Sequence, residues 1–394
     1  MALTLILGDP HLGKSLSLGK TGIGSTINSR LHDQLQLLDW ILERAIEHHV
    51  AHIIVTGDVF EDPKPPSYLI VLLISWLKKC QVHGVSVHMI MGNHDILRSG
   101  FVYTSPLDIL IEAELENVHV YKDIDTIIIG TTAFTMMPFR DRKSLGASTN
   151  SEAISIMRDS LVYELSSIPS TYQKILVGHL AIDGSLPIGD EIDELMNELF
   201  CPLDMFKGYD FTIMGHIHRP QVMQKSPYIA HIGSMDTSSF GETDHKKHLM
   251  FFDGSAHGQW FMEDLPTRPL QKIVVSVPKG IEDTTAYVLE QIKEAKVPSQ
   301  AIVRVEVSLA SPELQSINKT TIDKFLIANG AFSVNGISES KKINLIKKDD
   351  SNTIDTKMDM KSAIKTYSQV YVENEMRDQF MELALDFCEQ LSET

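Results

Sequence analysis

The feature that most constrains this chain's fold is a recurring one: short apolar runs that stop at glycine, several of them followed at once by Asp, Asn or His. LTLILG (3–8), HIIVTG (52–57), VSVHMIMG (85–92), TIIIG (126–130), KILVG (174–178), FTIMG (211–215) and IAHIG (229–233) form the series, and LMFF (249–252) closes it. Runs of roughly four to eight residues rich in Ile and Val are what strands buried on both faces look like. Helical patterns stand between the early runs. Over 31–48, Leu35, Leu38, Ile41, Leu42 and Ala45 share one stripe, and 68–79 follows a Pro-Pro start signal. Buried strands alternating with helices predict an α/β layered domain.

At 394 residues the chain exceeds what one core usually organises, so a large domain and a smaller one are expected. Two prolines interrupt the pattern in LPTRPLQ (265–271). The expected division is 1–265, a small α+β domain over 266–348, and a polar linker with amphipathic helices over 349–394. Met376, Phe380, Leu383, Ala384, Phe387 and Leu391 fall on one helical face of that tail. No apolar run reaches the roughly 18–20 residues of a membrane helix, and the N-terminus reads as a strand rather than an export signal. Cys80, Cys201 and Cys388 lie far apart with no CxxC, which argues against a disulfide framework or a Cys-type zinc site. A soluble, reduced, cytoplasmic protein without a membrane segment is expected. The formal charge of −17 speaks at first against nucleic acid. Residues 1–270 carry most of it, with 20 basic against 33 acidic side chains, and some of those acids could be metal ligands.

Five polar signatures follow the runs: Asp9-Pro10-His11, Gly57-Asp58, Gly92-Asn93-His94-Asp95, Gly178-His179 and Gly215-His216-Ile217-His218. In an open α/β sheet, ligands bind at the carboxyl ends of the strands. Asp, Asn and His there offer mixed oxygen and nitrogen donors, which suit a pair of transition metals better than Mg²⁺. Alternate residues of an extended segment share a face, so DxH and HxH each put two ligands on one side. The carboxylate of Asp58 has an oxygen for each of two cations. A lone Gly-Asp or Gly-His is ordinary loop punctuation; five in order, each closing an apolar run, are not.

In this order the blocks resemble the calcineurin-like metallophosphoesterases, whose signature is DxH…GD…GNHD…GH…GHxH. HLGKS (11–15), GDVFEDPKPPS (57–67), MPFRDR (137–142), GHLAIDGS (178–185), HIGSMDTSSFGETDHKKHLMFFD (231–253) and LPTRPL (265–270) are similar to the SbcD-like nuclease subunits within that family. Met235 and Glu61 depart from the usual residues of that group. The resemblance implies a layered β-sandwich core flanked by helices, with a small α+β domain that caps DNA. It implies that Asp9, His11, Asp58 and His218 bind one divalent metal, most often Mn²⁺, and that Asp58, Asn93, His179 and His216 bind a second. His94 would face the scissile phosphate without ligating, and Asp95 would orient its ring. The implied activity is two-metal hydrolysis of DNA, exonuclease and endonuclease, on double-stranded ends and single strands. The implied partners are an SbcC-like SMC/ABC ATPase, on which the C-terminal helices dock, and a second copy of the chain.

Two other readings compete. A phosphatase or small-molecule phosphodiesterase would keep the fold, but needs neither a second domain nor an amphipathic tail. A scaffold with a structural metal site would not need the complete ligand set. GKSLSLGKT (13–21) mimics a phosphate-binding loop but has one residue too many before its Gly-Lys-Thr. Lys341, Lys342, Lys347 and Lys348, and more strongly Arg140, Arg142 and Lys143, are candidate phosphate contacts. Helix 68–77 is apolar nearly all round, so it is either fully buried or a dimer face.

Overall fold

The computed structural model describes residues 3–21, 27–99, 102–188, 198–253 and 259–341, and beyond them only Ser368, Arg377, Phe380, Met381, Leu383 and Ala384. Two six-stranded sheets form the larger part. In the first, the strands Leu3–Leu7, Val50–Val55, Ser86–Ile90 and Val118–Tyr121 run parallel, and His248–Phe252 and Trp260–Asp264 add an antiparallel edge beside Leu3–Leu7. In the second, Tyr228–His231, Phe211–Met214, Gln173–Gly178 and Thr132–Met137 run parallel, flanked by the antiparallel Gln221–Lys225 and Asp125–Ile129.

The apolar runs explain the layering. Along each strand alternate side chains point to opposite faces, and both faces are covered. Ile6, Ile54, Ile90, Phe134, Val177, Ile213 and Phe252 meet between the sheets. The opposite face of the first sheet packs on helix α1 (Ser29–Glu47) and helix α2 (Ser67–Val82), through Leu38, Ile41, Leu73 and Leu77. Asn28 caps α1 by accepting the Arg30 amide, as an N-cap should. The helix Asn150–Ser167 covers the second sheet with Ala153, Met157 and Leu161. Helix α2 is not buried all round: Leu69, Leu73, Trp76 and Leu77 face the core, while Tyr68 and Val71 are about half exposed on its other side.

Beyond Leu265 the chain builds a separate core, with Val275, Val288, Ile292, Val305, Ile322 and Leu326 at its centre. Three strands, Leu270–Val277, Ile302–Leu309 and Ser333–Lys341, pair in parallel. The helices Thr284–Glu294 and Lys319–Ala328 alternate with them. Parallel pairing follows from the connections, since each strand returns through a helical crossover rather than a hairpin. The helices take one face of this sheet. The other carries Lys272, Val274, Arg304 and Glu306, none of them buried. Of the tail stripe only Phe380, Leu383 and Ala384 are described, with Leu383 66% exposed; Met376, Phe387 and Leu391 lie outside the described residues, as do Lys342, Lys347, Lys348 and Cys388. Among the described residues no helix is long and apolar enough to cross a membrane.

Candidate active site

The parallel strands of both sheets end on the same side of the sandwich, and backbone hydrogen bonds stitch their loops together. His11 N–H donates to Asp58 O and Met235 N–H to Asp9 O, each at 2.9 Å, while Phe139 N–H donates to Met91 O at 2.9 Å. Every polar signature therefore arrives at one place. The glycines in the signatures are required by this crowding. A Cβ on Gly57 would lie 2.3 Å from His179 Nδ1, and one on Gly92 would lie 2.1 Å from Asp58 Oδ1. His11, Asp58 and His216 themselves sit at positive φ, 43°, 45° and 76°. Non-glycine residues hold that conformation only where the surroundings over-determine it.

Among the described residues three donor groups result, and the one made by His11, Asp58 and His94 links the other two through His11 and the Asp58 carboxylate. Asp9, His11 and His218 form the first, and Asp58, His179 and His216 the second. His11 Nε2 and His218 Nε2 are 2.9 Å apart. Asn93 Oδ1 lies 2.9 Å from His179 Nε2 and 3.0 Å from His216 Nδ1. Asp58 Oδ2 stands between the groups, 3.4 Å from His11 Nε2 and 3.2 Å from His179 Nε2. The structure thus brings together all seven residues expected to hold metal. Asp9 and Asp58 are buried carboxylates, and buried charge needs a counter-charge. Mixed imidazole, amide and carboxylate donors fit divalent transition ions well.

The remaining nitrogen of each histidine faces an oxygen, the arrangement that orients ligating imidazoles, though of these contacts only that of His179 is a hydrogen bond. His179 Nδ1 donates to Thr56 O at 2.9 Å, and His11 Nδ1 meets Glu61 Oε2 at 2.8 Å. His216 Nε2 approaches Glu198 Oε2 at 2.5 Å, and His218 Nδ1 faces Glu242 Oε1 at 3.9 Å. Behind Glu242, the buried ammonium of Lys247 donates to Glu242 Oε2, Ser234 Oγ and the His218 carbonyl at 2.6, 2.8 and 2.8 Å. Its three donors are all used. Burial works against ionised Glu242, yet His218 and Lys247 hold its carboxyl well below the usual range. Burial likewise opposes a charged His179, but Asp58 and Asp9 raise it to about 9; burial wins at His11 and lowers it to about 4. Glu61, Glu242 and Lys247 lie inside segments that carry the resemblance, but nothing in the sequence marks them, or Glu198, as partners of these histidines. Only their places in the fold make them partners.

His94 and Asp95 divide differently from expectation. His94 Nδ1 donates to the Glu61 carbonyl at 2.8 Å, so Glu61, not Asp95, orients the ring. Asp95 is wholly buried and accepts from the amides of Val59, Phe60 and Gly92 at 3.0–3.2 Å, stapling the Gly-Asp loop to the Gly-Asn-His-Asp loop. Its bonds run to these three amides and not to the ring beside it. Burial and the nearby Asp58 charge push Asp95 up to about 7, against those amides. Arg140 is also committed elsewhere: it donates to Phe139 O, Lys122 O and Asp123 Oδ1, at 3.0, 2.5 and 2.7 Å. Arg142 and Lys143 are exposed.

A groove of about 570 Å³ runs from this centre to the three-stranded unit. Lys14, Glu61, His218 and Glu242 line its near side, Phe240 its end, and Lys272 and Arg304 its far wall, where Lys272 pairs with the partly exposed Glu306 at 2.8 Å and Arg304 donates to Asn335 Oδ1 at 2.8 Å.

The sequence model of the family described as calcineurin-like phosphoesterase matches residues 3–220. The SbcD component of the nuclease SbcCD of Staphylococcus saprophyticus is 25% identical over 363 residues, 88% of this chain and 90% of that protein. Its counterpart in the nuclease SbcCD of Escherichia coli is 25% identical over 249 residues, 57% of this chain and 60% of that one. DNA double-strand break repair protein Mre11 of Methanopyrus kandleri is 24% identical over 223 residues, 56% of this chain and 45% of its own length.

Proposed function

Because the chain belongs to the calcineurin-like phosphoesterase family, we propose that it is a cytoplasmic DNA nuclease subunit of the SbcD type. It hydrolyses phosphodiester bonds as exonuclease and endonuclease, on double-stranded ends and on single strands. The observation that carries this reading is the groove: it leads from the paired donor groups to a wall with two basic side chains, Lys272 and Arg304, on a separate unit. A phosphate monoester would fill only the near end. A polynucleotide has further phosphates for the far wall, and neutralising them contributes most of sequence-independent affinity. The similarity to the SbcD component of nuclease SbcCD over 88% of the chain supports the same substrate.

Asp9, His11, Asp58 and His218 would hold one cation and Asp58, Asn93, His179 and His216 the other, Mn²⁺ in both sites. Bound there, the two ions supply positive charge against which an in-line displacement at phosphorus proceeds. The chain's own contributions are positional and acid–base. Asp58 Oδ1 accepts the His94 amide at 2.9 Å, which ties the His94 backbone to the shared carboxylate. With His94 Nδ1 committed to Glu61, proton delivery to the leaving sugar oxygen falls to Nε2. The three-stranded unit covers the bound strand. The exposed Tyr68 and Val71 of α2 give a homodimer contact, and the tail docks on an SbcC-like SMC/ABC ATPase.

Linear duplex DNA, single-stranded DNA and p-nitrophenyl phosphate, each incubated with Mn²⁺, test the assignment. Degradation of both DNAs with little monoester turnover is the expected result. Monoester turnover without DNA degradation would replace the nuclease with a phosphatase.

A further inference from the structure

The side chain of Arg268 bridges the two units. Arg268, between Pro266 and Pro269, places a two-pronged contact on Asp33 of α1: Nε to Oδ2 at 2.7 Å and Nη2 to Oδ1 at 2.6 Å. Its Nη1 donates to the Gln300 carbonyl at 3.1 Å, and its guanidinium lies 4.0 Å over the Phe332 ring. Gln300 and Phe332 belong to the three-stranded unit. One planar group thus grips the core with its fork and the second unit with its remaining edge and face. Every part of the guanidinium is engaged, so it is not disposed for a substrate phosphate.

Both ends of this link lead to the groove. The first strand of the unit begins directly after Pro269, and in its register Lys272 stands opposite Arg304. The angle of the chain at Arg268 therefore sets where both wall residues stand. At the other end, Asp33 also accepts from Arg30, whose second nitrogen donates to Asp236 Oδ2 and the Thr237 carbonyl at 2.5 and 2.9 Å. Asp236 and Thr237 begin the loop that presents Phe240 and Glu242. Arg304 lies 4.4 Å over the Phe240 ring, and Glu242 backs His218. The circuit closes on the groove itself.

We propose that Arg268 is a positioning residue: its bond to Asp33 fixes the three-stranded unit over the metal centre, and so sets the register of an extended phosphodiester chain between the centre and the far wall. The substrate half of this inference rests on the nuclease reading above; the orientation half does not.

The test uses the full-length Mn²⁺-loaded protein with spin labels at Lys64→Cys and Lys279→Cys, exposed sites on the core and on the second unit, and Cys388→Ser. Arg268→Ala should broaden the inter-label distance distribution. It should raise KM for linear duplex DNA about tenfold, a misplacement cost, and leave kcat on bis(p-nitrophenyl) phosphate unchanged. Arg268→Lys keeps the charge but loses the fork, and should restore neither property. A raised KM with an unbroadened distribution would make Arg268 a direct DNA contact and overturn the latch, as would Arg268→Lys behaving like the parent. Broadening with KM unchanged would remove its part in substrate register. If the parent enzyme turns over the small diester but not DNA, the nuclease reading fails, while the distance distributions still decide the latch.

Discussion

His94 shows how a residue's role depends on what holds its neighbours. Its place in Gly-Asn-His-Asp marks it for the chemistry, and its ring nitrogen is fixed by a backbone carbonyl. His94→Asn should leave both cations bound, by elemental analysis, and lower DNA turnover about 100-fold, the usual size of a general-acid contribution. Loss of one cation would make it a ligand. Glu61 has two tasks: its carbonyl holds His94 and its carboxylate holds His11. Despite burial, His11 and Lys14 lower Glu61 to about 2, so it stays ionised throughout the working range. Glu61→Ala should weaken one of the two Mn²⁺ binding steps about 10- to 100-fold by calorimetry. Unchanged affinities would show that His11 needs no anchor. The ligand residues were legible in the sequence because each sits within a few positions of a strand end, where Gly, Asp and His stand together. Their partners were not. Glu242 backs His218, and Glu198 backs His216, only because the loops fold over the centre, and a lone Glu in a polar segment has no local signal.

At the scale of elements the apolar runs marked the strands, since strands buried on both faces need uninterrupted Ile and Val. Their order was not written locally: His248–Phe252 pairs with Leu3–Leu7 from the other end of the domain. The parallel order of the second unit likewise follows from its crossovers rather than from any strand's composition. One row across the first sheet has a measurable consequence. His88 is buried, with Nε2 3.1 Å from His52 Nδ1 and Nδ1 2.9 Å from Tyr121 Oη, and its ring stacks on His119 at 4.8 Å. Burial first, then His119 and His52, lowers it from 6.5 to about 3, and Asp125 stands beyond Tyr121. The folded state therefore binds this proton less readily than the unfolded chain. Its contribution is fully present above pH 6.5 and declines as pH falls toward 3, by at most about 1.4 kcal/mol per pH unit. Urea denaturation of the metal-free protein between pH 6.5 and 4 should show this slope, and His88→Phe should reduce it by about one proton. An unaltered slope in the variant would place the acid sensitivity elsewhere.

For the whole molecule, net charge misleads because it averages over surfaces that do different work. The chain is at −17, yet two of its acids, Asp9 and Asp58, lie inside the donor cluster, and the far wall of the groove presents Lys272 and Arg304. On the nuclease reading proposed above, a polynucleotide would meet the wall, not the average. The tail follows the same logic of surfaces that need a partner. Met376, Phe380, Leu383, Phe387 and Leu391 recur on one helical face, and Leu383 is 66% exposed. An isolated helix of this length is marginal in water, so its stripe has to be covered. Either the tail closes the second unit, or a coiled-coil ATPase supplies an apolar groove for it. The polar stretch KKDDSNTIDTK (347–357) before it and the exposed Leu383 favour the partner. Truncation after Lys348 separates the two. With a partner, the shortened protein keeps its melting temperature and its basal Mn²⁺ nuclease activity, but no longer co-purifies with the ATPase or gains from ATP. A fall of several degrees in melting temperature, or precipitation, would make the tail part of the fold and remove the ground for docking.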